Sequence, residues 1–236
     1  MSNIALILAG GIGSRMNQDI PKQFMTIEDR PLIIYTLQKF QNHPEIDAIA
    51  ATCLKGWEET LRNYAKQFEI TKLKYITLGG DTGFFSTYNG ILELEKYFSP
   101  EDVVLIHSGN RPIISREIIS DCISKAKIYD CCIGAFRGDT EEIMYSEDGK
   151  TSSKYYQREN MIITSPPTGI RLGKAVNLYK SAEKAGIKNA YTAATLMQDM
   201  GGTIHFSLGS RSNIKITYPK DIDLFKVLLK LPEGNE

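Results

Sequence analysis

The chain predicts an α/β fold: a mainly parallel sheet with helices on both faces. Three observations carry that expectation. Short apolar runs rich in branched residues alternate with amphipathic stretches of helical period, the pattern of successive βαβ units. Two of the runs leave through glycine-rich turns, Ala9-Gly10-Gly11-Ile12-Gly13 and Gly79-Gly80-Asp81-Thr82-Gly83. The 236 residues suffice for one large domain, 1–236, with a sizeable core.

The elements follow in order. Ile4 to Leu8 reads as a buried strand, and Pro31 to Phe40 as a helix with proline at its start. Ile46 to Cys53 is a strand, Trp57 to Phe68 a helix, and Lys72 to Leu78 the next strand. Phe84 to Phe98 is helical, Val103 to His107 a strand, Ser115 to Ala126 a helix, and Cys131 to Phe136 a strand. Crossovers between parallel strands are right-handed, which puts helices on both faces and ligands at the carboxyl ends of the strands.

Between Asp139 and Met161 the pattern changes. Glu142 to Ser146 and Lys154 to Arg158 flank Glu147-Asp148-Gly149-Lys150, whose Asp-Gly pair is a turn signal. The segment reads as a β-hairpin arm over 139–161. Met144, Tyr145, Tyr155 and Tyr156 would be costly on a lone exposed arm, so a homodimer through it is expected. After Ser165-Pro166-Pro167 come helices near Lys174 to Ala185 and Ala190 to Met200, a strand near Thr203 to Phe206, and a closing helix near Pro219 to Leu231.

Bulk properties exclude several classes. Formal net charge is zero and no basic block occurs, so nucleic acid is not an expected partner. No apolar run approaches the length of a membrane span, and no charged-then-apolar leader opens the chain, so a cytoplasmic protein is expected. The four cysteines show no CxxC spacing, and the adjacent pair Cys131-Cys132 reads as buried small hydrophobes.

Chemistry concentrates at Ile4 to Phe24. A strand running into Gly10-Gly11-x-Gly13 lets the backbone turn tightly and face its N–H groups to phosphate oxygens. Arg15 and Lys22 then supply two cations. The stretch is neither a Walker A loop nor a spaced GxGxxG fingerprint, and it reads as a nucleoside triphosphate loop. It resembles the start of the nucleotidyltransferases that activate sugars and polyols. Pro21-Lys22-Gln23-Phe24 is similar to the cytidylyltransferases acting on methylerythritol phosphate, ribitol phosphate and related polyol phosphates. The resemblance extends over nearly the whole chain.

That resemblance implies a three-layer αβα, Rossmann-like nucleotidyltransferase fold, with an arm that reaches across a twofold axis into the partner's site. It implies CTP and a polyol phosphate as substrates, with Mg²⁺. Catalytic roles fall on Arg15, Lys22 and Lys215, the last within Asn213-Ile214-Lys215-Ile216-Thr217. Nucleotide-binding roles fall on Leu8, Ala9, Gly10, Gly11, Gly13, Gly80, Ser86, Ser108 and Arg111, and acceptor-binding roles on Thr140, Arg158 and Thr192. His107 reads as a structural histidine.

The acidic half of the family pattern is thinned. Ser108 stands where the family's metal-holding aspartate belongs in His-Asp-Ala-x-Arg-Pro, and Ser212 stands where some members have an acid. Ala193 replaces the aspartate after Thr192, Gly83 and Phe85 replace an arginine and an acid, and Ser165-Pro166-Pro167-Thr168 replaces Gln-Thr-Pro-Gln. Asp81, Asp139 and Asp199 are possible replacement carboxylates, so the metal ligands stay open. The leading expectation is transfer of CMP from CTP to a polyol phosphate. Its rivals are a same-fold enzyme with a changed acceptor or nucleotide, and a nucleotide-binding regulatory protein without turnover.

Overall fold

The computed structural model describes residues 1–11, 20–138, 143–190 and 192–231. A seven-stranded sheet runs in the order β11-β7-β10-β6-β1-β4-β5. Its strands are β1 (Asn3–Ala9), β4 (Ala48–Cys53), β5 (Leu73–Leu78), β6 (Val103–Ser108), β7 (Cys131–Arg137), β10 (Ile162–Arg171) and β11 (His205–Leu208). Two-residue strands β2 (Thr26–Ile27) and β3 (Arg30–Pro31) pair beside it. All neighbouring strands of the sheet are parallel except β10, which runs antiparallel to both β6 and β7.

Alternation along β1 divides the core. Ala5 and Ile7 face helices α1 (Leu32–Gln41), α2 (Glu58–Gln67) and α4 (Arg116–Ile128), packing with Ile33, Leu37, Phe40, Leu61 and Ile119. Ile4 and Leu6 face α3 (Gly83–Glu95), α5 (Leu172–Lys184) and α6 (Ala193–Asp199), packing with Phe84, Ile91, Leu94 and Tyr179. A central parallel strand covered on both faces must be apolar on both, which is why Ile4 to Leu8 is an unbroken apolar run. A third cluster joins Ile27, Leu32 and Ile216 to Phe225 of α7 (Pro219–Leu228). Hydroxyls close the helix starts, Thr82 on α3, Ser115 on α4 and Thr192 on α6.

Strand β10 is an element that the sequence reading, which assigned no structure to Ser165-Pro166-Pro167, did not place. Ile162 to Ser165 pair with Arg137 to Gly134, and Thr168 to Ile170 pair with Ile133 to Cys131. The two prolines fall between these stretches, at a register shift where no ladder N–H is needed. All four cysteines are buried free thiols, as the reading of Cys131-Cys132 expects.

The hairpin of β8 (Ile143–Tyr145) and β9 (Lys154–Tyr156) stands between β7 and β10, with Met144, Tyr145 and Tyr155 exposed. Asp148 caps its turn by accepting from the Lys150 and Thr151 amides, both at 2.8 Å, and Gly149 supplies the positive φ of 68°. No helix among the described residues is long and apolar enough to cross a membrane.

From β1 the chain builds outward to β4 and β5, then returns to place β6 on the other side of β1. The carboxyl ends of β1 and β6 therefore flank the point where strand order reverses, the place where open α/β sheets bind ligands.

Candidate active site

A cleft of roughly 400 Å³ opens there. Gly10 and Gly11 leave β1, Gly80 and Asp81 follow β5, Ser86 and Thr87 come from α3, and Ser108 ends β6. Pro166 and Thr168 of β10, Thr192 beside α6, and Lys22 and Lys215 complete the wall.

Two strand exits meet at its floor. A Cβ on Gly79 would lie 2.9 Å from the Gly10 Cα, and one on Gly10 would lie 3.0 Å from the Gly79 Cα and 3.2 Å from the Ser86 Oγ. Glycine at both positions lets the two backbones touch. The Ser86 hydroxyl holds the second exit, accepting from the Gly80 amide at 3.0 Å and donating to the Gly80 carbonyl at 3.2 Å.

Lys22 opens a single helical turn, Lys22–Phe24, that is anchored on two sides. Phe24 stacks on Trp57 with ring centroids 4.7 Å apart. The buried Gln23 amide donates to the carbonyls of Ala9 at 2.8 Å and Gly11 at 2.9 Å. Lys215, also in the lining, belongs to a segment pinned by its neighbours. Asn110 donates to the Ile216 carbonyl at 2.6 Å, and the Ile216 amide returns a bond to the Asn110 carbonyl at 2.9 Å. Asn213 donates to the Pro166 carbonyl at 2.6 Å, and an Arg111 guanidinium N–H donates to the Asn213 carbonyl. Two lysines are thus held on rigid backbone facing one cleft, an arrangement suited to a polyanion.

His107 forms part of this wall with its ring fully buried, its Nε2–H donating to the Arg111 carbonyl at 3.0 Å. Burial pushes its pKa down to about 3 against a small upward pull from that carbonyl, so the imidazole is neutral. It therefore positions the 107–111 turn and carries no charge into the cleft.

Residues 3–230 match the family model IspD, 2-C-methyl-D-erythritol 4-phosphate cytidylyltransferase. The chain belongs to this family. It is 35% identical over 231 residues to a ribitol-5-phosphate cytidylyltransferase of Lacticaseibacillus paracasei, covering 97% of this chain and 98% of that relative. It is 32% identical over 232 residues to a 2-C-methyl-D-erythritol 4-phosphate cytidylyltransferase of Clostridium novyi, covering 97% and 96%. The solved 4-diphosphocytidyl-2C-methyl-D-erythritol synthase of Anaerococcus prevotii shares the fold at a TM-score of 0.82 and 22% identity, over 98% of this chain and 96% of that one. The αβα nucleotidyltransferase architecture expected from the sequence is the one found.

Of the residues that the IspD-family resemblance singles out, Leu8, Ala9, Gly10, Gly11, Lys22, Gly80, Ser86, Ser108, Thr192 and Lys215 are brought together around the cleft. Arg111 is not at its surface, because its guanidinium is drawn to the Asn213 carbonyl. Arg158 sits at the base of the arm, away from the cleft of its own chain, and pairs with Glu159 at 3.2 Å. Gly13, Arg15 and Thr140 lie outside the described residues, as does Asp139. Asp81, a possible replacement carboxylate, and Thr87, which with Ser86 could meet a pyrimidine edge, also line the cleft, as do Gln23, Pro166 and Thr168, to which the sequence assigned no role. Gln23 stood inside the quoted Pro-Lys-Gln-Phe motif, and that was the signal available.

The IspD-family resemblance implies Mg²⁺, which the donor set can be tested against. Asp81 is the one carboxylate among the described lining residues, and Ser108 offers only a neutral hydroxyl. No group of three or more His, Cys, Asp or Glu that could hold a metal occurs among the described residues. Magnesium demands oxygen ligands in near-octahedral array and takes carboxylates where the protein holds it. These residues do not build such a site. Asp199, another possible carboxylate, ends α6 and does not line the cleft.

Proposed function

We propose that this protein transfers CMP from CTP to a polyol phosphate of the ribitol phosphate or methylerythritol phosphate class, releasing pyrophosphate. The observation that carries the reading is the presence of both Lys22 and Lys215 in the lining of one glycine-floored cleft at the strand switch point. An acceptor phosphate oxygen attacks the α-phosphorus and pyrophosphate leaves in line. Such a step needs position and charge neutralisation more than covalent help. Lys22 and Lys215 neutralise charge that grows on the phosphate oxygens, and Gly10 and Gly11 let the backbone approach them. Arg15 adds a third cation, Gly80 and Ser86 meet the nucleoside, and Thr192 faces the acceptor.

The proposal treats residues 1–236 as one domain that works in the cytoplasm as a homodimer. Arm residues 139–161, with Thr140 and Arg158, reach the acceptor phosphate in the partner's cleft. The exposed Met144, Tyr145 and Tyr155 support that pairing. Mg²⁺ enters only as the companion ion of the triphosphate, since the described donor set builds no cage for it. Between the two acceptors, ribitol 5-phosphate is placed first, supported by the Leu8-Ala9-Gly10-Gly11 loop and the more similar relative.

The test is pyrophosphate release from CTP with Mg²⁺ present, against ribitol 5-phosphate and methylerythritol 4-phosphate. Lys22→Ala is expected to lower kcat/KM by about a hundredfold or more. Absence of turnover with both acceptors, while CTP still binds, would sink the reading in favour of a nucleotide-binding protein.

A further inference from the structure

Gln23 is 3% exposed, and its single amide nitrogen makes two hydrogen bonds to backbone carbonyls two residues apart, those of Ala9 and Gly11. An amide nitrogen has two hydrogens, so both are spent on this loop. An apolar side chain of similar volume would fill the same buried space, so packing alone does not explain a polar group there.

The chemistry of a phosphate loop does explain it. Carbonyl oxygens carry partial negative charge and repel phosphate, whereas amide N–H groups attract it. A glycine-rich turn is free enough to present either. In a trans peptide the N–H of Gly10 points opposite to the carbonyl of Ala9. Drawing that carbonyl toward Gln23 therefore turns the Gly10 N–H away from Gln23. The same side chain ties the loop to the turn that carries Lys22, its neighbour in sequence.

We propose that Gln23 is a positioning residue for the nucleoside triphosphate: it draws the Ala9 and Gly11 carbonyls off the triphosphate's path and holds Lys22 in register with the loop. The proposal rests on the cytidylyltransferase reading and deepens it. Gln23 touches no reacting atom and acts through the loop and Lys22.

The experiment is calorimetric titration of CTP into the full-length protein and into Q23M and Q23E, with melting temperatures and steady-state kinetics alongside. Q23M keeps the side chain's length but has no donor, and it is expected to weaken CTP about tenfold. Q23E keeps the shape but turns acceptors toward two carbonyls, and it is expected to weaken CTP about a hundredfold. The KM for the polyol phosphate stays within twofold in both, because the acceptor does not lie on this loop.

A purely structural role would lower the melting temperature and the active fraction without changing CTP affinity per folded molecule. Wild-type affinity in either folded variant would overturn the proposal, as would equal losses for CTP and acceptor. Should Q23M fail to fold, Q23E decides alone. If the unaltered protein binds no CTP, the functional reading itself falls and this proposal with it.

Discussion

His107 gives a prediction that depends on burial and hydrogen bonding alone. Its ring is fully buried, its Nε2–H is spent on the Arg111 carbonyl, and its Nδ1 has no partner among the described residues. A proton added at Nδ1 would be a charge in a fully buried ring, which is why the pKa falls from 6.5 to about 3. Between those values the unfolded chain binds a proton that the folded chain refuses. Stability from this group is therefore intact above pH 6.5 and is lost as pH falls toward 3. One unit of pH is worth about 1.4 kcal/mol per proton, so the loss between pH 7 and pH 5 amounts to about 2 kcal/mol. His107→Gln keeps a donor for Arg111 and removes the titration. Urea unfolding of both proteins at pH 7, 6 and 5 isolates the term, because His43 and the carboxylates titrate in both. The wild type should lose about 2 kcal/mol more than the variant over that range. Parallel decline of the two curves would refute the argument, whatever the variant's stability at pH 7.

Two glycine substitutions separate close approach from composition. Gly79→Ala drives a Cβ to 2.9 Å from the Gly10 Cα, forcing the two strand exits apart, whereas a Cβ on Gly11 meets nothing within 4 Å. Thermal melting should fall by several degrees in Gly79→Ala, where the Cβ meets backbone, and stay near the wild-type value in Gly11→Ala; equal losses would count against the loop geometry. In the core, Gly169→Ala places a Cβ 2.8 Å from the Cys122 Sγ and 2.9 Å from both the Ala126 Cβ and the Cys132 Sγ. Overpacking of this kind costs about 1–3 kcal/mol, and calorimetry should record a melting temperature lower by several degrees.

Much of this was legible in local pattern. Strand β1, the glycine exits and the helix from Pro31 could be placed because apolar run, glycine and proline each constrain the backbone without help from distant residues. β10 could not. Its prolines signal a break, and only pairing with β6 and β7 shows that they occupy the register shift of a continuous strand. The same limit applied to the site. Lys22 and Lys215 are 193 positions apart in a chain whose sheet order brings them together. Arg111 could be assigned to the nucleotide by motif, but where its guanidinium goes depends on the Asn213 carbonyl, a contact 102 residues distant. Motif gives residue types; partners come from topology.

The reversal at β10 has a consequence for how this architecture can vary. Arg137 and Ile162 are register partners, so the chain leaves and re-enters the sheet at adjacent points. The excursion between them, which carries the β8–β9 hairpin, is closed at its base by a ladder that does not depend on its length. Because closure entropy grows only slowly with length, residues can be added to or removed from this excursion at small cost to the sheet. The excursion also starts from the carboxyl end of β7, the end of the sheet where the cleft opens. A change of reach there alters the surface beside the cleft and leaves the glycine floor and both lysines where they are. The part of the molecule that can change its acquaintances is thereby mechanically separate from the part that carries the glycine floor and the two lysines.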